Sequence, residues 1–560
     1  MIRIIKEFMY RNNKRDLLLQ IIMIVSAGMP LYKQAIMCND ELQARYWGMQ
    51  GYFTAQNYYF HEMLSKGRAL SAPIVSISLP LGFLGESNYV FRIMQIVTLI
   101  LVSLLFGYAV ALLLENVNLG RLCAISSFVF LPITFEHTEP NAFVTDYCVP
   151  MILFYGAVIL FIKYLNDKSK KRYIYIFSIL LFIALTSYEA FVTLSPVFIL
   201  ILLYKSGLRG LKNNIGVILI IMADCFVFLG MYLLLGKLFP SNYEGNQITA
   251  INIGESLKII IHLFKACFPG YFLFSPKYKS IWNVYKYFSV DYFVRAGILA
   301  VVFFAFFYDV MSSLSNDKLC IKKIKHFFVL IGALFVIICT SLPISIAKMY
   351  QGNVGEQGFI ALPVTYFAFP FAVFVIIYIL YIFINLINYK SIRIVMSLCM
   401  SILLFAISYQ NDIYAEVNNE NFMRLCRIES VIESRTMDKC TGLSFYAPNI
   451  YETRNALAIH DGYWTSFAEI KDVDVSFNVS DVQSDNRIYA DDDCEQFQIW
   501  KDNKLSVMSS KCLEKSIPVR YDEFKCFSAN CIDHTRDHGW FCYYFKLINN
   551  ELMPISAEEF

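Results

Sequence analysis

Residues 17–37 read LLLQIIMIVSAGMPLYKQAIM, and the next four are Cys38-Asn39-Asp40-Glu41. As a helix rising 1.5 Å per residue the apolar stretch reaches about 31 Å, the thickness of a bilayer's hydrocarbon. Arg3, Lys6, Arg11, Lys14 and Arg15 precede it, and no small-residue cleavage site follows. The pattern is that of an uncleaved first membrane span whose N-terminus is cytoplasmic. Asp40 and Glu41 then fall where the chain leaves the membrane on the far side.

Runs of the same kind recur along the 560 residues, which are 57% hydrophobic and only 17% charged. That balance excludes an ordinary soluble protein and indicates a polytopic membrane protein. Basic loops at Lys168–Arg172, Lys205–Lys212, Lys318–Lys325 and Lys390–Arg393 are expected on the cytoplasmic side, so an even number of crossings separates them. Eleven spans satisfy this, near 17–37, 90–114, 121–136, 146–165, 173–187, 190–205, 215–238, 294–313, 326–346, 364–388 and 392–411. The third, fifth and sixth run to only about 15 residues, roughly 22 Å of helix, and are expected to border a cavity. The outer segments are then 38–89, 137–145, 188–189, 239–293, 347–363 and everything after 411.

The expected fold is thus an all-α membrane domain over residues 1–411, with long outer loops 38–89 and 239–293, and a soluble extracytoplasmic domain over 412–560. After residue 411 there are 26 acidic and 15 basic side chains, a balance of −11 that leaves +14 for the rest, so the two parts face different surroundings. Alternating stretches such as Asp472 to Val482 suggest α/β or mostly β structure there. Cys426, Cys440, Cys494, Cys512, Cys526, Cys531 and Cys542 fit disulfides in an oxidising compartment, with Cys38 or Cys267 available to the seventh. Disulfides outrank a zinc site at Cys531, His534, His538 and Cys542, and Asp491-Asp492-Asp493 reads as a solvated turn before a calcium site.

The chemistry-bearing cluster is Asp40, Glu41, Arg45, His61, Glu62, Lys66 and Arg68, directly after the first span. A spanning scaffold needs no acidic pair followed by two arginines at that place, whereas a reaction on a phosphate-linked lipid needs a base and cations there. Asp40 is the chosen base. Glu41 has three roles open to it: holding an acceptor hydroxyl, holding a divalent cation, or raising the pKa of Asp40 by like-charge repulsion. Arg45 and Arg68 suit a phosphate because a guanidinium donates two parallel hydrogen bonds and stays charged, and Lys348 is a weaker candidate. Short spans place Glu136, Asp146 and Glu189 in a recess on the same side. The plainer readings are a solvated loop cap for the acidic pair, snorkelling anchors for the arginines, and polar helix ends for the other carboxylates. Asp224, in mid-span, reads as a helix-packing hydrogen bond to a neighbouring hydroxyl or amide.

Asn39-Asp40-Glu41, Arg45, Gly51 and Gly67-Arg68-Ala69-Leu70 resemble the first outer loop of the bacteriophage-type serotype-converting (O-antigen) glucosyltransferases. Pro132, Phe135-Glu136, Asp146 and Met151 are similar to that family's second outer loop, and Ser187-Tyr188-Glu189-Ala190 to its short hairpin tip, although Glu189 stands where relatives carry Gln and Glu41 where many carry Asp. The resemblance covers roughly the first 200 residues. It implies a GT-C class enzyme of the bacterial cytoplasmic membrane, moving a hexose such as glucose from a polyprenyl-phosphate donor to a cell-surface or lipid-linked glycan acceptor, among membrane lipids and without nucleic acid. No cofactor is called for, and a divalent cation stays open only as one of the three roles of Glu41. A polysaccharide polymerase or ligase using an undecaprenyl-diphosphate glycan is the alternative enzyme. A lipid-linked glycan flippase would show internal repeats, and no clear repeat is present.

Overall fold

The computed structural model describes residues 14–35, 39–83, 88–133, 144–241, 243, 245, 252–274, 289–315, 323–351, 363–387, 389–433, 467 and 469–472, together with eight strands beyond 440; for residues 39, 40, 323, 324, 363, 364, 417, 420, 421, 423–428 and 430–432 and for the strands the backbone alone is described. The chain divides into two compact units. One comprises Met1–Gln34 and Tyr52–Ala415, the other Ala35–Gly51 and Glu416–Phe560.

The first unit is a helix bundle. In chain order it runs α1 (Lys14–Lys33), then, after α2 of the other unit (Asn39–Met49), α3 (Tyr52–Ser65), α4 (Ser71–Gly82), α5 (Tyr89–Leu114), α6 (Val117–Val129), α7 (Val144–Asn166) and α8 (Arg172–Ser187). It continues with α9 (Ala190–Leu194), α10 (Pro196–Asn213), α11 (Ile215–Leu238), α12 (Ile253–Ala266), α13 (Tyr271–Phe274), α14 (Val290–Leu314), α15 (Lys323–Ile346), a 3-10 turn (Lys348–Tyr350), α16 (Pro363–Leu386) and α17 (Lys390–Glu433).

Among the described residues nine helical segments, α9 and α10 counting as one, are long and apolar enough to cross a membrane. This is a multi-pass membrane protein. Two shorter apolar helices, α6 and α8, stand where short spans were expected, so each of the eleven expected spans has a helix. The third lies nearer the N-terminus than expected and ends at Val129 rather than 136. Many residues on α11, among them Leu219, Phe226 and Leu233, present exposed apolar side chains as a lipid-facing helix does. By contrast α16 is the most buried of the nine, with Phe367, Ala372, Val373, Ile377 and Tyr378 all enclosed.

Two features depart from the expected layout. The outer segment 38–89 contains an additional apolar helix, α4, whose Ala72, Val75 and Leu79 are buried. And α17 does not stop near 411: residues 412–433 contain neither Gly nor Pro, so nothing in them ends a helix, and it runs unbroken for 44 residues.

Close packing is best seen where α5 meets α6. Gly107 and Ala111 face Gly120 and Ala124 in a pair of small-xxx-small motifs, and a Cβ built on either glycine would lie 2.4 Å from the other's carbonyl oxygen. Only Gly lets the two backbones approach so closely. Their link is minimal: Glu115 takes a left-handed conformation (φ 55°), and the Asn116 side chain accepts from Leu119 N at 2.9 Å to cap α6. Asn411 on α17 closes the far end of α6, accepting from Ile133 N at 2.7 Å and donating to Leu131 O at 3.0 Å. Arg295 on α14 donates to Asp412, a charged pair inside the bundle, and to Ser408 O. In mid-bundle Ser178 donates to both carboxylate oxygens of Asp224, at 3.2 and 3.0 Å, a hydroxyl partner of the kind expected for that residue.

The second unit pairs α2 with the end of α17. Ala35 N donates to Asn419 Oδ1 at 2.7 Å. Its strands are β1 (Leu443–Phe445), β2 (Phe477–Val479), β3 (Arg487–Tyr489), β4 (Gln496–Lys501), β5 (Lys504–Ser510), β6 (Pro518–Arg520), β7 (Trp540–Ile548) and β8 (Glu551–Ile555). The largest sheet is antiparallel in the order β4-β5-β7-β8, with Lys501 opposite Lys504 and Ile548 opposite Glu551, so two residues remain for each outer hairpin turn. The strands β1 and β2 pair in parallel, and β3 and β6 antiparallel.

Candidate active site

Three of the expected site residues, far apart in sequence, meet at one end of the bundle. The guanidinium of Arg68 donates from Nε and one terminal nitrogen to the two oxygens of Glu189, at 3.1 and 3.0 Å, and from the other terminal nitrogen to Asp146 Oδ2 at 2.8 Å. Asp146 is held on its second oxygen by Ser71 Oγ, which donates at 2.8 Å.

Local sequence explains why Arg68 arrives there. It follows Gly67, whose φ of +78° ends α3 with paired bonds, Gly67 N to Leu64 O and Arg68 N to Met63 O, both 2.9 Å. That 5→2 and 6→1 pair is a Schellman cap, in which glycine occupies the left-handed position without a Cβ penalty. A Cβ on Gly67 would also lie 2.5 Å from the Tyr232 ring of α11. The turn is then tied to the end of α8 by Leu70 N donating to Thr186 O at 3.4 Å, which brings Arg68 beside Glu189. Asp146 stands in the first turn of α7, where the helix dipole favours an anion.

The surroundings are aromatic. The guanidinium carbon of Arg68 lies 4.2 Å from the centroid of the Tyr188 ring. Tyr147 meets Tyr188 edge to face at 4.9 Å, and Phe367 of α16 backs them at 5.6 and 5.3 Å. Tyr243 is hydrogen-bonded to Tyr350, and its ring takes Lys66 Nζ at 5.5 Å. Lys66 pairs with Glu62 at 2.6 Å. Burial works against the charge of Arg68, but Glu189 and Asp146 outweigh it and hold the guanidinium pKa above the ordinary arginine value. The Tyr350 phenol is pushed up by its burial. Both groups therefore keep their protons near neutrality, and neither is a base there.

The two carboxylates differ in how they are held. The Asp146 side chain is 2% exposed and doubly bonded, whereas that of Glu189 is 29% exposed and sits in the break between α8 and the five-residue α9. Motif reading missed Ser71, Tyr147, Tyr232, Tyr243 and Tyr350. The aromatics were hidden in a chain that is 16% aromatic, where most serve lipid contact.

The other expected residues belong to other elements. Glu41 and Arg45 lie on α2 in the second unit, where Arg45 forks onto Glu429 of α17, one bond being 2.8 Å, and sits 5.6 Å from the Phe422 ring. Glu41 is fully buried. Asp40 belongs to α2 by its backbone. Lys348 is exposed on the 3-10 turn that also carries Tyr350. Glu136 lies outside the described residues. Cys267, offered for a disulfide, is a buried free thiol donating to Phe264 O at 3.0 Å. Among the described residues no three His, Cys, Asp or Glu side chains gather as a metal site. A separate cavity of ≈ 100 Å³, walled by Phe106, Leu200, Tyr204, Phe328, Phe371 and Phe374, is almost wholly apolar and offers hydrocarbon contact rather than chemistry.

No family model matches the chain, and no curated protein matches it. Among solved structures, ArnT from Cupriavidus metallidurans in the apo state is similar at 12% identity and a TM-score of 0.36, over 83% of this chain and 85% of that one. The same protein bound to undecaprenyl phosphate is similar at 13% identity and a TM-score of 0.35, over 84% and 86%.

Proposed function

We propose that the protein is a GT-C class membrane glycosyltransferase that moves a hexose from a polyprenyl-phosphate donor to a cell-surface or lipid-linked glycan at the outer face of the bacterial cytoplasmic membrane. The observation that carries this reading is the buried Arg68, set between Asp146 and Glu189 and walled by tyrosines, at one end of a membrane-type bundle. A guanidinium there suits a phosphate monoester or diester, because its fork donates parallel bonds to two oxygens. Tyrosine faces and phenols suit a sugar, which presents C–H groups to a ring and hydroxyls to its edge.

Transfer from a polyprenyl phosphate requires a carboxylate to take the acceptor's proton and cationic groups to stabilise the phosphate as it departs. Asp40 is our base, with Glu41 beside it in sequence. Arg68 is our principal donor-phosphate ligand. Arg45 and Lys348 are secondary candidates, and Glu136, Asp146 and Glu189 are assigned to substrate binding. Placement of the C-terminal domain outside the cytoplasm belongs to the same proposal.

Steady-state transfer by the purified full chain, using short-chain polyprenyl-phosphate hexose donors, tests it. Arg68→Lys keeps the charge but loses the fork, so it should raise KM for the donor more than for the glycan. An unchanged donor KM, or no transfer by the unaltered protein from any such donor, would defeat the reading.

A further inference from the structure

Arg68 offers five N–H bonds, and the structure spends three of them, two on Glu189 and one on Asp146. Glu189 takes the edge formed by Nε and a terminal nitrogen, as a fork on a fork. Carboxylates and phosphates take that edge in the same way, because both present two oxygens at matching separation. A lipid phosphate and Glu189 therefore compete for one surface of Arg68.

The two carboxylates are unequal competitors. Asp146 is anchored from its other side by Ser71, is 2% exposed and sits in the first turn of a long helix. The Glu189 carboxylate has Arg68 alone as its ion-pair partner among the described residues, is 29% exposed, and belongs to a junction where Tyr188 is extended (φ −156°, ψ 129°) and a five-residue helix follows. The guanidinium carbon of Arg68 sits over the Tyr188 ring, 4.2 Å from its centroid, a contact that does not use the N–H edges.

We propose that Glu189 is a displaceable counter-anion: it occupies the fork edge of Arg68, leaves when a polyprenyl monophosphate headgroup arrives, and so sets donor affinity, while Asp146 and Ser71 hold the arginine in place throughout. This rests on the lipid-phosphate reading given above. It makes Glu189 a positioning and affinity-setting residue rather than a catalytic one. Replacing one anion by a singly charged phosphate leaves the charge near Arg68 roughly constant, while Asp146 keeps the cation paired throughout.

The test is direct binding of farnesyl phosphate, with farnesol as the neutral control, to the purified full chain and to Glu189→Gln, Glu189→Ala and Asp146→Asn, each checked for monodispersity. Removal of a competing carboxylate should tighten farnesyl phosphate binding by about tenfold in both Glu189 variants, a gain of about 1.4 kcal/mol. Farnesol binding should not change, and Asp146→Asn should not tighten. Unchanged or weaker phosphate binding in both Glu189 variants would overturn the proposal and leave the lipid-phosphate reading standing. So would equal tightening in Asp146→Asn, since that is what simple removal of any nearby negative charge produces. If the unaltered protein and all variants bind the phosphate no better than the alcohol, the lipid-phosphate reading falls and this proposal with it.

Discussion

Arg68→Ala should be among the most damaging single substitutions in the bundle, and the partial rescues should be unequal. Deleting the guanidinium leaves Asp146, 2% exposed, without its cation, and stranding a buried charge in this way costs about 3–5 kcal/mol. Adding Asp146→Asn to Arg68→Ala removes that charge while leaving an amide oxygen that still accepts from Ser71, so roughly half of the loss or more should return. Adding Glu189→Gln instead relieves a carboxylate that is 29% exposed and can turn toward solvent, so the recovery should stay below about 1 kcal/mol. Unfolding of the detergent-purified variants by SDS titration, followed by intrinsic tyrosine and tryptophan fluorescence, measures the four values. Equal rescue by the two second-site changes would refute the claim that Asp146 is the fixed partner and Glu189 the mobile one.

Three further outcomes follow from the sequence and structure together. Reporter fusions near residues 170, 208, 321 and 391 should report cytoplasm and one after 420 the outer face; a cytoplasmic tail would also move the proposed site to the wrong side. Asp40→Asn should lower sugar transfer by at least about a hundredfold with membrane insertion intact, since general-base catalysis contributes that much; normal turnover in both Asp40→Asn and Glu41→Gln would place the base elsewhere. Gly107→Val should unfold or separate the α5–α6 pair, because even a Cβ there lies 2.4 Å from Gly120 O, whereas Gly297→Ala, with nothing within 4 Å, should be tolerated; equal stability of the two variants would deny the close approach.

Helix positions were legible because hydrocarbon thickness and apolar run length are the same information written twice. Thus α11 occupies the expected 215–238, and α15 ends at Ile346 as anticipated. Boundaries failed where termination depends on something other than hydropathy. Polar residues end a membrane span but do not end a helix, so α17 continues past Asp412 through a stretch that lacks Gly and Pro. Similarly α4 went unread: its 12 residues are too few to signal a span, and its Pro73 and Pro80 argue against a helix, yet Pro73 sits in the first turn where its missing N–H costs little.

The site divided along the same line between local and non-local information. Gly67-Arg68 is a local signal, since a glycine closing a helix and an arginine following it are readable from their order alone. Asp146 and Glu189 were each visible as acidic residues at span ends. That both converge on one guanidinium was not, because the convergence is set by the packing of α7 and α8 and by the backbone bond from Leu70 to Thr186, none of which leaves a spacing in the sequence. The pairing also alters what Arg68 is. Read alone it is a free cation awaiting phosphate; in the structure it is flanked by two anions, one anchored and one exposed. A phosphate can reach it only by replacing an anion or by adding negative charge to a cluster in which two anions already share one cation. The second course adds to the negative charge already buried there and the first leaves it unchanged, so the exchange at Glu189 is the route the energetics favour.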